Sequence, residues 1–117
     1  MHINELLNAI LNDLEQLKAT NILPLNVEQL TSVTDFLVIA TGTSSRHVGA
    51  IADHLVQEMK EHGYSPLGIE SDPQNEWVLV DLGDVVVHIM QKQTRDFYQL
   101  EKLWTPHHQL ANQVASF

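Results

Sequence analysis

The residues of this chain best equipped for chemistry are a glycine-hydroxyl loop, imidazoles and carboxylates spaced four apart, and one histidine close to a tryptophan. The loop is Gly42-Thr-Ser-Ser45. It opens a predicted helix, where free backbone N–H groups and the helix dipole can hold a phosphate. It lacks the spacing and the lysine of a P-loop, and no GxGxxG occurs anywhere in the chain. Nucleotidyl transfer would also need two neighbouring carboxylates on a strand to hold magnesium, and the strand after this loop offers only Glu70. His54, Glu58 and His62 share one face of the same helix, a spacing that can bind metal. Zinc sites draw further ligands from elsewhere in the fold, and these three positions lie off the apolar stripe, so the expectation is a solvated face with no metal. His107-His108 is an isolated pair. His88 falls beside Trp77, and no serine, cysteine or carboxylate triad can be assembled around it, so partner contact is expected there rather than catalysis. No catalytic, metal or cofactor site is therefore assigned.

The elements that position these groups follow from periodicity. Phe36 to Ala40 is a short buried strand, broken by Thr41-Gly42-Thr43-Ser44, where glycine suits a tight turn and the hydroxyls suit a helix cap. Val48, Ile51, Ala52, Leu55 and Met59 make one helical stripe, which Gly63 stops. An earlier helix over residues 2–19 buries Ile3, Leu6, Leu7, Ile10, Leu14 and Leu17, with Asn, Asp, Glu and Gln opposite. Ile22 to Val27 is extended, and Pro24 places it near a sheet edge. Leu30 to Thr34 is a polar connector. Ser65 to Glu70 is a further short strand, and Ser71 to Asn75 is dense in turn formers. Glu76 to Met90 is a hairpin in which Asp81 is expected to face Asp84, pairing Val80 with Val85, Leu79 with Val86 and Trp77 with His88. Its core face is then Val78, Val80, Val85, Val87 and Ile89, and its other face Trp77, Leu79, Asp81, Val86, His88 and Met90. Thr94 is expected to cap a third helix burying Phe97, Leu100 and Leu103 or Trp104. Leu110, Val114 and Phe117 have the spacing of a short tail helix. A strand feeding a helix that lies back on the sheet implies an α/β layered domain.

Composition narrows the function. At 117 residues with 44% hydrophobic and 18% charged side chains, one globular domain is expected. No cysteine is present, which removes disulfides and thiolate chemistry together. The apolar runs are too short for a membrane span, and the first residues do not read as a signal peptide, so a cytoplasmic protein is expected. The formal charge of −9 repels phosphate backbones and disfavours direct nucleic-acid binding. It attracts a basic protein partner, although acidity of this size also serves solubility alone. Trp77, Leu79, Val86 and Met90 form a contiguous apolar patch if nothing covers that side of the sheet. Patterning leaves open whether the patch is an interface or a second core layer under the first or the tail helix. In the interface reading Trp77 is the anchor, and truncating it weakens binding while sparing the fold.

Several ordered blocks carry a resemblance. Asp35-Phe-Leu-Val-Ile-Ala-Thr-Gly-Thr-Ser-Ser-Arg-His-Val48, Ile51-Ala-Asp53, Trp77-Val-Leu-Val-Asp81, Gly83-Asp-Val-Val-Val-His88 and Thr94-Arg-Asp-Phe-Tyr-Gln-Leu-Glu-Lys-Leu-Trp104 closely resemble the ribosomal silencing factor, or Iojap-related, family. The sequence departs from the family pattern at Phe36, Ser71 and Gln91-Lys92. The resemblance implies an α/β fold with a mixed sheet of about five strands and helices mainly on one face, distantly similar to nucleotidyltransferases without their catalytic carboxylates. It also implies a non-enzymatic protein that binds the large ribosomal subunit through its fourteenth protein, blocks joining of the subunits and represses translation when nutrients are scarce. The domain is expected over residues 1–104, with 105–117 as an extension. The expected contact residues are Trp77, Leu79, Asp81, Val86, His88 and Met90, with Glu70, Asp72 and Asp84 as an acidic rim. Two other functions stay in view: a diverged nucleotide-binding enzyme using the Gly42–Arg46 loop, and a homodimer formed through the open sheet face.

Overall fold

The computed structural model describes residues 3–104. In chain order these form helix α1 (Ile3–Gln16), strands β1 (Thr20–Asn26) and β2 (Phe36–Gly42), and helix α2 (Ser45–Glu61). Strands β3 (Gly68–Ser71), β4 (Trp77–Asp81) and β5 (Val85–Gln91) follow, then helices α3 (Lys92–Tyr98) and α4 (Leu100–Trp104). The strands make one five-stranded mixed sheet ordered β1-β2-β5-β4-β3. Only the central pair β2–β5 is parallel; the remaining neighbours are antiparallel. β1 is an edge strand, where the missing N–H of Pro24 breaks no ladder on the open side. Among the described residues no helix is long and apolar enough to cross a membrane. The proposed tail helix and His107-His108 lie outside the described residues.

The main core lies between one sheet face and the two long helices. Leu6, Ile10 and Leu14 of α1 and Val48, Ile51, Leu55 and Met59 of α2 pack against Val38, Ala40, Val78, Val80, Val85, Val87 and Ile89. α2 starts at Ser44, whose hydroxyl accepts the His47 N–H at 3.1 Å. It ends at Gly63, which takes a positive φ of 90°. Gly42 is the last residue of β2, and close approach rather than turn geometry requires it: a Cβ there would meet Val48 Cγ2 at 2.7 Å.

The β4–β5 hairpin has the expected faces in a different register. Trp77 pairs with Met90, Leu79 with His88, Val80 with Val87 and Asp81 with Val86. The shift of two residues arises at the turn. Leu82 N–H donates to the Val85 carbonyl at 2.9 Å, Gly83 N–H donates to Asp81 Oδ1 at 2.9 Å, and Gly83 adopts a φ of 88°. Gly83 and Asp84 thus form the turn itself, and Asp81 pairs with Val86 instead of Asp84. An even shift returns every side chain to its own face.

The expected third helix is two helices. Gln91, not Thr94, precedes the first turn, and it makes no side-chain cap bond. Gln99 adopts a left-handed conformation (φ 49°) and breaks the run. Phe97 and Leu103 are exposed and Leu100 packs inward, so the buried stripe does not run through Phe97; the Trp104 side chain, the other candidate, lies outside the described residues. Arg95 holds the joint, bonding Thr41 Oγ1 at 2.8 Å and Glu101 Oε1 at 3.2 Å.

Candidate functional site

The second sheet face carries a smaller core. Val27, Leu37, Ile39, Val86 and Met90 are buried together, with Leu25, Leu30, Trp77, Leu79 and Leu100 packed around them. The connector after β1 and the start of α4 thus cover part of this face. The first helix lies on the opposite side with α2. The exposed part of the face is consequently narrower than the contiguous patch expected from patterning. Met90 is fully buried, Val86 nearly so, and His88 keeps 4% of its surface. These three lie beneath the surface of this sheet face. The reason is local: the connector folds back through hydrogen bonds from Val27 N–H to Asp35 O and from Leu30 N–H to Val27 O, which lays Leu30 on the sheet.

At the surface, Glu70, Ser71, Asp72, Trp77 and Leu79 line one shallow concavity of about 290 Å³. Cross-strand pairing of Glu70 with Leu79 puts that carboxylate directly beside the apolar floor. Asp72 is committed to its turn. Its Oδ1 accepts the Glu76 and Trp77 N–H groups at 2.7 and 2.9 Å, and its Oδ2 accepts that of Gln74 at 3.2 Å. Slight burial pushes the Asp72 carboxyl up, but the amides of Trp77, Glu76 and Gln74 outweigh it and hold the group below the usual carboxylate range. Asp81 holds the hairpin turn, and Asp84 is exposed at its tip.

Trp77 is tied to the fold as well as displayed. Its indole N–H donates to His88 Nδ1 at 2.8 Å. An indole nitrogen can only donate, so His88 Nδ1 must be the acceptor and the neutral ring carries its proton on Nε2. Burial lowers the His88 pKa from 6.5 to about 4, in keeping with that neutral state. The expectation that truncating Trp77 spares the fold is therefore revised: removing the indole leaves a buried nitrogen without its donor.

The structure adds two residues to the surface that patterning assigned elsewhere or passed over. Phe97 is 79% and Tyr98 54% exposed. Their rings meet edge-on at 4.9 Å, and Tyr98 lies 4.9 Å from the Trp77 ring. An aromatic row thus runs Phe97–Tyr98–Trp77, with Glu70 and Leu79 at its end. Adjacency could have flagged Tyr98 alone: residues i and i+1 of a helix diverge by about 100°, so a stripe through Phe97 leaves Tyr98 off it, whereas no local signal marks Phe97.

The Gly42–Arg46 loop is occupied by its own contacts. Thr43 N–H donates to His47 Nδ1 at 2.9 Å, His47 N–H to Ser44 Oγ, and the His47 Nε2–H bonds the Leu17 carbonyl at 2.7 Å. Two of the amides a phosphate would use are therefore spent within the chain.

A mixed sheet with two helices on one face and a shallow, acid-edged aromatic surface on the other defines a small two-layer α/β domain that presents a face rather than a cleft. Within that class the chain belongs to the ribosomal silencing factor family: the family described as "Ribosomal silencing factor during starvation" (RsfS) matches residues 1–116. It is 46% identical over 99 residues to the ribosomal silencing factor RsfS of Haemophilus influenzae, spanning 85% of this chain and 97% of that protein. It is 41% identical over 104 residues to that of Chromobacterium violaceum, spanning 89% of this chain and 85% of that protein. A crystal structure of a Chromobacterium violaceum protein superposes with a TM-score of 0.87 at 40% identity, covering 92% of this chain and 89% of that one.

Proposed function

We propose that this protein is a non-enzymatic repressor of translation that binds the large ribosomal subunit through its fourteenth protein and blocks subunit joining in the cytoplasm. The observation that carries the reading is the aromatic row Phe97–Tyr98–Trp77 set beside Glu70 and Leu79 on a chain of charge −9. Exposed aromatics are the residues that anchor interfaces, and an acidic edge suits a basic ribosomal protein. The family membership supports the ribosome as the setting. Glu70, Asp81 and Asp84 steer the encounter; Trp77, Leu79, Tyr98 and Phe97 make the contact; Val86, His88 and Met90 hold that surface in shape. The working unit is residues 1–104, with 105–117 as an extension.

Sedimentation with purified large subunits tests this. The protein should co-sediment with large subunits and reduce the yield of joined ribosomes when small subunits are added. Phe97→Asp should abolish both effects without altering the melting temperature. A folded protein that sediments free of large subunits would end the proposal.

A further inference from the structure

Between α1 and α2, on the far side of the sheet from the aromatic row, three side chains converge. We propose that Asp13, His54 and Glu58 form a binding site for a divalent first-row transition metal of the zinc type. Their ligating atoms all lie within 4.8 Å of one another. Bonds of about 2.0–2.2 Å to zinc set two ligand atoms of one tetrahedral ion about 3.3–3.6 Å apart, so a movement of about an ångström closes the set.

Asp13 is the observation that separates this cluster from an ordinary polar surface. By its place in the sequence it belongs to the solvated face of α1, yet its side chain is only 4% exposed. Packing of α1 against α2 brings it into the seam, where it meets the flank of α2. Among the described residues neither of its oxygens accepts a hydrogen bond. His54 Nδ1 stands 2.7 Å from Asp13 Oδ1, close enough for an ion pair but out of hydrogen-bonding line. An ion held by both would set these atoms about 3.3–3.6 Å apart, so the bound metal and the direct ion pair are alternative states of the same two groups. A buried carboxylate without donors is costly unless a cation balances it. Burial pushes the Asp13 carboxyl above the usual range, His54 draws it back, and the charge of Glu58 adds to the burial effect.

The donor set chooses the metal. Imidazole with two carboxylates suits zinc, cobalt or iron, whereas magnesium and calcium prefer oxygen alone. His54 and Glu58 are one turn apart on α2, and Asp13 comes from a second helix, the outside ligand that a helical His/Glu pair needs. His62, one turn further, lines the groove beside Asp13 and Glu58 together with Asn12 and Gln16. A bound ion would clamp α1 to α2 and leave the aromatic face untouched.

Zinc chloride titrated into the full chain, followed by calorimetry and by the His54 ring resonances, tests the site. One equivalent should bind with micromolar affinity or better, shift those resonances and raise the melting temperature. Millimolar magnesium should not compete. Glu58→Gln should weaken binding about tenfold or more, and Asp13→Asn should remove it, whereas His107→Gln with His108→Gln should change nothing. If Asp13→Asn fails to fold, Glu58→Gln, on the half-buried side of the cluster, still decides. Absence of binding below millimolar zinc would overturn the site and leave an Asp13–His54 ion pair. Binding that is indifferent to both Asp13→Asn and Glu58→Gln would overturn it equally.

Discussion

The bond from Trp77 to His88 makes the display of one residue depend on the protonation of another. Unfolded, the His88 ring titrates near 6.5; folded, at about 4. Below pH 6.5 the unfolded chain takes up a proton that the folded chain refuses. The stability from burying the neutral ring is therefore complete above pH 6.5 and is lost as the pH falls toward 4, about 3 kcal/mol in all. Urea unfolding at pH 7.5 and 5.0 should show the wild type losing about 2 kcal/mol more than His88→Gln over that interval. Equal losses would mean that His88 is not held neutral by the fold. Trp77→Phe keeps an aromatic ring but strands His88 Nδ1, and should cost about 1–3 kcal/mol at pH 7.5 in the same assay. Trp77→Ala loses packing in addition and should weaken binding and folding together. Phe97, exposed and outside both cores, is the position where the two effects separate.

At the scale of elements, the junction of β2 and α2 is the most tightly fitted. A methyl group on Gly42 would sit 2.7 Å from Val48 Cγ2 and 3.1 Å from the Val48 backbone nitrogen. Overpacking of this kind costs about 1–3 kcal/mol, so Gly42→Ala should lower the melting temperature by roughly 4–20 °C. An unchanged melting curve would mean that α2 can draw back from the sheet at no cost. The α2 stripe, the Ser44 cap, the Gly63 stop and the two faces of the hairpin were legible in the sequence because each depends on local spacing. The hairpin register was not, because a shift of two leaves alternation unaltered and both Leu82-Gly83 and Gly83-Asp84 offer a glycine to the turn. The break at Gln99 was hidden for a different reason: neither glycine nor proline marks it, and Arg95 bonding Thr41 and Glu101 holds the joint. Asp13 looked solvated because which helix flank meets which is decided by packing. Of the candidate surface, the Trp77 and Leu79 positions followed from alternation, while the place of Glu70 beside Leu79 needed the β3–β4 pairing. The burial of Val86, His88 and Met90 did not, since it depends on where the 27–34 connector folds.

For the whole molecule, charge governs how partners meet. At −9, association with a basic partner should slow by about tenfold between low and physiological salt, as the screening length falls from about 30 to about 8 Å. Stopped-flow mixing should find Glu70→Lys slowing association more than it speeds release. A salt-independent rate would remove steering from the acidic edge. The central parallel pair has a consequence of another kind. Phe36 lies against Val85, so β2 and β5 join only after the 48 residues between them (37–84) have been drawn together. The β4–β5 hairpin needs only a tight turn. Loop closure of that length must come before the contacts that reward it, which makes assembly of the sheet centre the slow step. A ribosome releasing this chain from the N-terminus lets β1 pair with β2 but leaves the other edge of β2 open until β5 has emerged. During that interval the strand carrying Leu37, Val38 and Ile39 has no permanent neighbour on its inner edge, and this is when the nascent protein is most exposed to aggregation.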